Sequence, residues 1–178
     1  AVFRIGLSDD VEFGLLPPLI KRLRAEAPGV VLVIRRTNYL MMPGLLASGE
    51  ISVGVAYTEE LPANAKRKIL RRSKAKLLRA DTVPGALSLD DYCARPHALV
   101  SFAGDLATLL AETDIVASVP DYTAAALTAA GGLRAEDLPL QTQTFELHMA
   151  WRGAQDNDPA ERWLRSRIQM FCGDPDSL

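Results

Sequence analysis

Apolar and polar positions along the chain switch repeatedly between a period of two and a period near 3.6. Phe3–Leu7 reads as a short apolar strand that ends at Ser8-Asp9-Asp10, a turn that also suits a helix N-cap. Val11, Leu15, Leu16, Leu19, Ile20 and Leu23 then recur at helical spacing. Pro17-Pro18 is tolerated only in a first turn, which sets the start of the regular helix near Leu16, and Pro28-Gly29 stops it. Val30–Arg35 predicts a second strand, rich in β-branched residues. Leu40–Ala47 predicts a short helix closed by Gly49, and Ile51–Tyr57 a third strand. Strand and helix thus alternate β-α-β-α-β within the first 57 residues, the order of a parallel sheet with right-handed crossovers.

The middle of the chain opens with a basic run. Lys66, Arg67, Lys68, Arg71, Arg72, Lys74, Lys76 and Arg79 fall between residues 66 and 79 without an acid among them. No aromatic residue interleaves these charges, as a base-stacking surface requires. The run therefore reads as a solvated strand or pair of strands with Ile69, Leu70, Leu77 and Leu78 facing inward, in preference to a nucleic-acid contact. Ser88-Leu89-Asp90-Asp91 opens a one-turn helix with a capping pattern. Ala98–Phe102 predicts a strand, Leu106–Ala111 a helical piece, Ile115–Val119 a strand, and Tyr122–Ala130 an Ala-rich helix ending at Gly131-Gly132. Phe145–Trp151 predicts a late strand. Asp158, Pro159 and Glu161 combine an N-cap, Pro at the first helical position and a reciprocal acid, so a last helix runs to about Phe171.

Composition narrows the classes. Twenty basic and 22 acidic side chains leave a net charge of −2, which argues against binding nucleic acid through whole-domain electrostatics. No apolar run is long enough to cross a membrane as a helix. Cys93 and Cys172 are far apart and form no CxxC pair, which favours a reduced, cytoplasmic setting. The chain opens inside a strand, without an initiator Met or leader, and so reads as part of something longer.

Catalytic signatures are missing: there is no GxGxxG, P-loop lysine motif, HExxH or GxSxG. His97 and His148 read as packed or surface residues, and Cys93 with His97 lacks a third, orienting group. The His, Cys and carboxylate residues are too scattered for a metal site, and no cofactor is expected. The expectation is a protein that is not an enzyme. What remains is small polar residues at the carboxyl ends of strands, where open α/β sheets bind ligands. Ser8 follows the first strand, Thr37 and Asn38 the second; Ser101 and Phe102 end a later strand, and Pro120 follows the next. Each alone suits a cap or turn; their recurrence points to a shared small-ligand cleft. Asp9 and Asp10 would repel an anionic ligand there unless they point away.

The chain resembles the effector-binding (regulatory) domain of LysR-type transcriptional regulators over essentially its whole length. Phe3–Ser8, Leu15-Leu16-Pro17-Pro18-Leu19, Pro28-Gly29-Val30 and Leu45–Glu50 carry the likeness in the first part. Leu87–Tyr92, Pro96-His97 and Asp156–Arg165 carry it in the second, the last most like the branch that senses small aromatic compounds. The resemblance implies a type II periplasmic-binding-protein-like α/β fold, two Rossmann-like subdomains joined by two crossover strands. Subdomain I would comprise residues 1–75 plus 145–178 and subdomain II residues 76–144. A small effector, aromatic or carboxylate, would lie in the cleft between them, with Ser8, Thr37, Asn38, Ser101, Phe102 and Pro120 at family effector-contacting positions. Phe102 and Tyr39 suggest room for an aromatic ring. The resemblance further implies a dimer or tetramer, and DNA binding only through an N-terminal winged helix-turn-helix that this chain does not include. A solute-binding protein of a transport system with the same fold is the alternative. Ser52 stands where the family has an acid, and Lys74 and Lys76 where its crossover strand is apolar. The family also has a further helix and strand after the segment matching Leu99–Asp105, so a stretch near 105–107 is expected to be lacking here.

Overall fold

The computed structural model describes residues 1–99 and 105–174. The chain divides into two compact units, Ala1–Arg72 with Phe145–Leu178, and Ser73–Thr144. Each has its own sheet.

In the first unit, β1 (Val2–Leu7) lies between two parallel neighbours, β2 (Val31–Arg36) and β3 (Val53–Ala56). β9 (Phe145–Arg152) runs antiparallel beside β3, and β4 (Ala65–Ser73) closes the order β2-β1-β3-β9-β4. Side chains of a strand point alternately to the two faces, and the residues sort accordingly. Phe3, Ile5 and Leu7 are buried, and Phe3 stacks on Trp163 of α7 (Pro159–Cys172) with ring centroids 6.2 Å apart. The opposite face is built of small residues so that α3 (Met42–Ser48) can approach. A Cβ on Gly54 would stand 2.8 Å from the Met42 Cε, and Ala56 and Ala150 pack with Met42, Leu46 and Ile51. Gly49, at φ 78°, ends α3 in the left-handed conformation that favours glycine.

The helix expected from Leu16 is α2 (Leu16–Glu26), but a separate one, α1 (Asp9–Gly14), precedes it. The Asp158 side chain caps α7 by accepting from the Glu161 N–H, as the motif predicts. The reciprocal half of the box is different: the Asp158 N–H donates to the Gln155 carbonyl. Burial raises the Glu161 carboxyl above its ordinary range, and the Ser52 hydroxyl acts in the opposite direction. Ser52 itself holds Arg4, its N–H and its hydroxyl both donating to the Arg4 carbonyl.

In the second unit, β5 (Ala75–Ala80) is central, antiparallel to both β7 (Val116–Pro120) and β8 (Leu133–Asp137), and β6 (His97–Ala98) extends the sheet parallel to β7. The helices are α4 (Leu89–Ala94), α5 (Leu106–Ala111) and α6 (Asp121–Thr128), with the Ser88 hydroxyl capping α4 by accepting from the Asp91 N–H. The strand expected over Ala98–Phe102 is described only at its start, residues 100–104 lying outside the described range. β8 has no counterpart in the sequence reading, because its alternating polar residues suit an edge strand and a loop equally.

The basic run becomes β4 and β5, with two corrections. Leu70, Leu77 and Leu78 are buried, but Ile69 is 38% exposed. Neighbours on a strand with one buried face cannot both point inward, whereas β5, with partners on either side, buries successive residues. Arg79 is not solvated either; it is 1% exposed. Its Nε donates to Glu136 Oε1 at 2.7 Å, and its other nitrogens donate to the Ala80, Val83 and Gly85 carbonyls. Glu136 also accepts from the Leu87 N–H, so one ion pair straps the segment between β5 and α4 to the sheet. By contrast, Lys66 with Asp156, Arg72 with Glu146 and Lys76 with Asp137 are exposed pairs.

Removing one partner of a buried ion pair strands the other, whereas exposed pairs contribute little. Glu136→Ala is expected to lower the unfolding free energy by about 3–5 kcal/mol in urea denaturation. Arg72→Ala, at an exposed pair, is expected to change it little. Equal effects would show that the Arg79 strap contributes no more than a surface contact.

Candidate functional site

The carboxyl edge of the first sheet gathers Ser8, Thr37 and Asn38, and their hydrogen bonding separates them. Ser8 occupies the N-cap position of α1 in extended conformation, yet its side chain makes no capping bond. Its N–H donates to the Val55 carbonyl at 3.2 Å, while its buried Oγ has no partner. Thr37 is buried, with its N–H on the Leu7 carbonyl at 2.9 Å and its hydroxyl making a long bond of 3.3 Å to the Asn38 carbonyl. The Thr37 methyl lies over Gly6, where a Cβ would stand 3.3 Å from it and 2.6 Å from the Ile51 Cδ1. Glycine at position 6 is therefore what lets Thr37 and Ile51 close over β1.

Asn38 has a different role. Its Oδ1 accepts from the Leu40 and Met41 N–H groups, each at 2.9 Å, forming the turn that leads into α3. Its side-chain oxygen is already engaged, and only its amide NH₂ remains for a ligand. Beyond it, Tyr39, Leu40 and Met41 are exposed, and the Tyr39 ring meets that of exposed Tyr57 edge-on at 6.2 Å. The Tyr57 hydroxyl donates to Glu59, whose carboxylate raises the phenol above its ordinary range. Asp9 lies 3.7 Å from Arg36, so an opposite charge stands beside it at the end of β2.

Two further polar side chains of this unit escaped the sequence reading as site residues. Thr58, just past β3, is buried with an unpartnered Oγ1. His148 of β9 is buried directly opposite Ala56, with an unpartnered Nδ1. Thr58 follows its strand much as Ser8 follows β1 and could have been found by the same rule. His148 could not, since only the pairing of β9 with β3 brings it near.

Of the remaining expected positions, Pro120 ends β7 in the second unit, opposite Ala75 and ahead of α6. Ser101 and Phe102 lie outside the described residues. The Cys93–His97 pair does not form a nucleophilic couple. His97 Nε2 lies 2.8 Å from the Tyr92 carbonyl and the ring packs edge-on against Tyr92. Cys93 is exposed; Cys172 is buried, its thiol pushed up to about 12 by desolvation. Among the described residues no group of three or more His, Cys, Asp or Glu side chains could hold a metal ion, and no helix is long and apolar enough to cross a membrane.

The family model of the LysR substrate binding domain matches residues 1–101. The transcriptional activator NagR of Ralstonia is 21% identical over 95% of this chain and 66% of its own length. The transcriptional regulator SyrM 1 of Sinorhizobium fredii is 25% identical over 93% of this chain and 57% of its own. The chain thus spans about three fifths of the length of the curated relatives it matches. Among solved structures, the regulatory domain of MexT, a transcriptional activator in Pseudomonas aeruginosa, superposes with a TM-score of 0.90 at 71% identity, covering 96% of this chain and 100% of that one. An OxyR regulatory domain from the same organism, 16% identical with a TM-score of 0.76, shares the fold across 97% of this chain and 98% of its own.

Ser8→Ala removes a buried hydroxyl that has no partner, whereas Asn38→Ala frees two backbone N–H groups. Urea denaturation is therefore expected to show Ser8→Ala at or slightly above wild-type stability and Asn38→Ala about 1 kcal/mol below it. An equal loss in both would make Ser8 a structural cap. A thiol reagent is expected to modify Cys93 in the native protein and Cys172 only after unfolding; two fast native thiols would contradict the burial of Cys172.

Proposed function

Because the chain belongs to the LysR substrate-binding domain family, the effector-binding part of LysR-type transcriptional regulators, we propose that it senses a small aromatic or carboxylate effector through the carboxyl ends of its strands. Its fold is the type II periplasmic-binding-protein-like α/β fold of that family. The named relatives are transcriptional activators and regulators, which sets aside the solute-binding alternative.

One observation carries the ligand reading. The Ser8 hydroxyl sits at the N-cap position of α1, beside buried Thr37, and caps nothing. Buried polar groups are nearly always hydrogen-bonded, and an orphan costs about 1–3 kcal/mol unless something binds to it. An effector oxygen at Ser8 and Thr37 would supply the missing partner, with the Asn38 amide as a further donor. The exposed Tyr39 and Tyr57 rings give an aromatic effector an apolar rim.

The effector acts by population shift, favouring one of two states of the regulator. The domain senses and does not catalyse; it works in the cytoplasm, as part of a dimer or tetramer whose DNA contact is an N-terminal winged helix-turn-helix. The NagR alignment runs over 200 positions although this chain has 178 residues, so NagR carries insertions relative to this chain.

A thermal-shift panel of small aromatic acids tests the effector class. At least one acid is expected to raise the melting temperature of the wild type and to leave Thr37→Val unchanged. If no acid shifts the wild type, the aromatic-acid reading fails.

A further inference from the structure

The amino end of β3 meets a buried acid that the effector reading leaves unused. Glu161, in the first turn of α7, is 9% exposed, and its Oε2 has no hydrogen-bond partner. A buried carboxylate without donors is costly, so the group either keeps its proton or recruits a donor. The hydroxyl beside it belongs to Ser52, which is also buried and stands just ahead of β3. Ser52 in turn reaches across to β1. Its N–H donates to the Arg4 carbonyl at 2.9 Å, and its Oγ donates to the same oxygen at 3.2 Å.

A serine hydroxyl has one proton and two lone pairs, so it cannot donate to Arg4 and to Glu161 at once. Two arrangements satisfy the groups. With Glu161 protonated, its O–H donates to Ser52 Oγ and the Ser52 O–H stays on the Arg4 carbonyl, where the structure has it. With Glu161 ionised, its proton leaves to solvent and the Ser52 O–H turns to the carboxylate. The Arg4 carbonyl then keeps only the Ser52 N–H. The surrounding charges favour the first arrangement. Burial raises the carboxyl above its ordinary range; the Ser52 hydroxyl opposes this, Asp158 adds to it, and Arg165 opposes it. Arg165 does not supply the missing donor, because its NH1 and NH2 groups donate to the Gln155 and Asp156 carbonyls. On the strand side Ser52 is uncharged, and Arg4 offers its carbonyl while its side chain is exposed.

We propose that Glu161 and Ser52 form a proton-driven switch, in which protonation of Glu161 holds a second hydrogen bond on the Arg4 carbonyl and ionisation releases it. In the protonated state a chain of two O–H groups joins the first turn of α7 to β1. In the ionised state that chain ends at Ser52. The native protein resists ionisation of this acid more than the unfolded chain does. Its contribution to stability is therefore fully present below the ordinary carboxylate range and is lost as the pH rises through the raised native range. The switch lies within the first unit and needs no effector, so it stands or falls independently of the ligand reading.

The test follows two ¹³C resonances of the wild type through a pH titration by NMR, the side-chain carboxyl of Glu161 and the backbone carbonyl of Arg4. Both are expected to move with one shared midpoint, above the ordinary carboxylate range. In Ser52→Ala the Arg4 resonance no longer follows Glu161. In Glu161→Gln, whose amide donates to Ser52 as the protonated acid does, the Arg4 resonance stays at its low-pH position. The urea midpoint of Glu161→Gln lies above that of wild type in neutral solution, and the gap closes as the pH falls. A Glu161 midpoint within the ordinary range or an Arg4 carbonyl that ignores Glu161 overturns the switch, and the wild type alone decides both. Tracking that survives Ser52→Ala, or a urea gap that does not depend on pH, overturns it as well.

Discussion

The antiparallel return of β9 beside β3 is the constraint on which the first unit depends. Val53 to Ala56 pair with Trp151 to His148, so a strand from late in the chain completes a sheet begun by its first residues. The pairing fixes Trp151, whose indole donates to Asp156 while Arg165 lies over its ring, and Arg165 in turn donates to the Gln155 and Asp156 carbonyls. That knot aims α7 back across the sheet, where Trp163 stacks on Phe3 and Arg167 reaches Glu26 of α2. A slip of one residue in β9 would exchange its faces, bringing Met149 and Trp151 against α3 and turning His148 and Ala150 to the other side. Core and candidate site therefore share one register.

Polar groups in the interior fall into two kinds. Arg79 with Glu136 and Trp151 with Asp156 are engaged with named partners, and they hold loops and turns in place. Ser8 Oγ, Thr58 Oγ1 and His148 Nδ1 are not engaged, and all three belong to the carboxyl edge of one sheet or the turn just past it. Natural proteins break local rules of hydrogen-bond satisfaction mostly where function asks for it, at some loss of stability. Unpartnered buried atoms also occur away from that edge, at Ser73 Oγ, Gln155 Oε1 and Glu161 Oε2, so the edge owes its character to the particular side chains gathered there.

The alternation of strand and helix up to Tyr57 was legible because hydrophobic period and breakers agree at each step: the prolines at the start of α2, Pro28-Gly29 after it, and Gly49 at the end of α3. The basic run was legible as strands, but Arg79 was not legible as buried. Its partner, Glu136, is 57 residues away on a strand with no apolar signal of its own. His148 was hidden for the same reason, since an isolated histidine in a strand acquires meaning only from what pairs with that strand. Ser8 and Thr37 were readable as strand-end residues. Asn38 was readable as one too, but its side-chain oxygen turned out to be held by the turn.

The contrast between Ser8 and Asn38 shows how neighbouring charge decides which polar residue is left for a ligand. Both follow a strand and precede a helix, and both are strong capping residues. α1 carries Asp9, Asp10 and Glu12 in its first turn, and negative charge there stabilises the helix start without a side-chain cap. α3 has no acid in its first turn, so the bonds from Asn38 to Leu40 and Met41 must shape its entry. The acids that made the first strand end look hostile to an anionic ligand are thus what release the Ser8 hydroxyl. Arg36, 3.7 Å from Asp9, partly offsets their charge. An effector that meets this edge with a neutral hydroxyl, and keeps its carboxylate away from Asp9, uses the released groups without opposing the charges that released them.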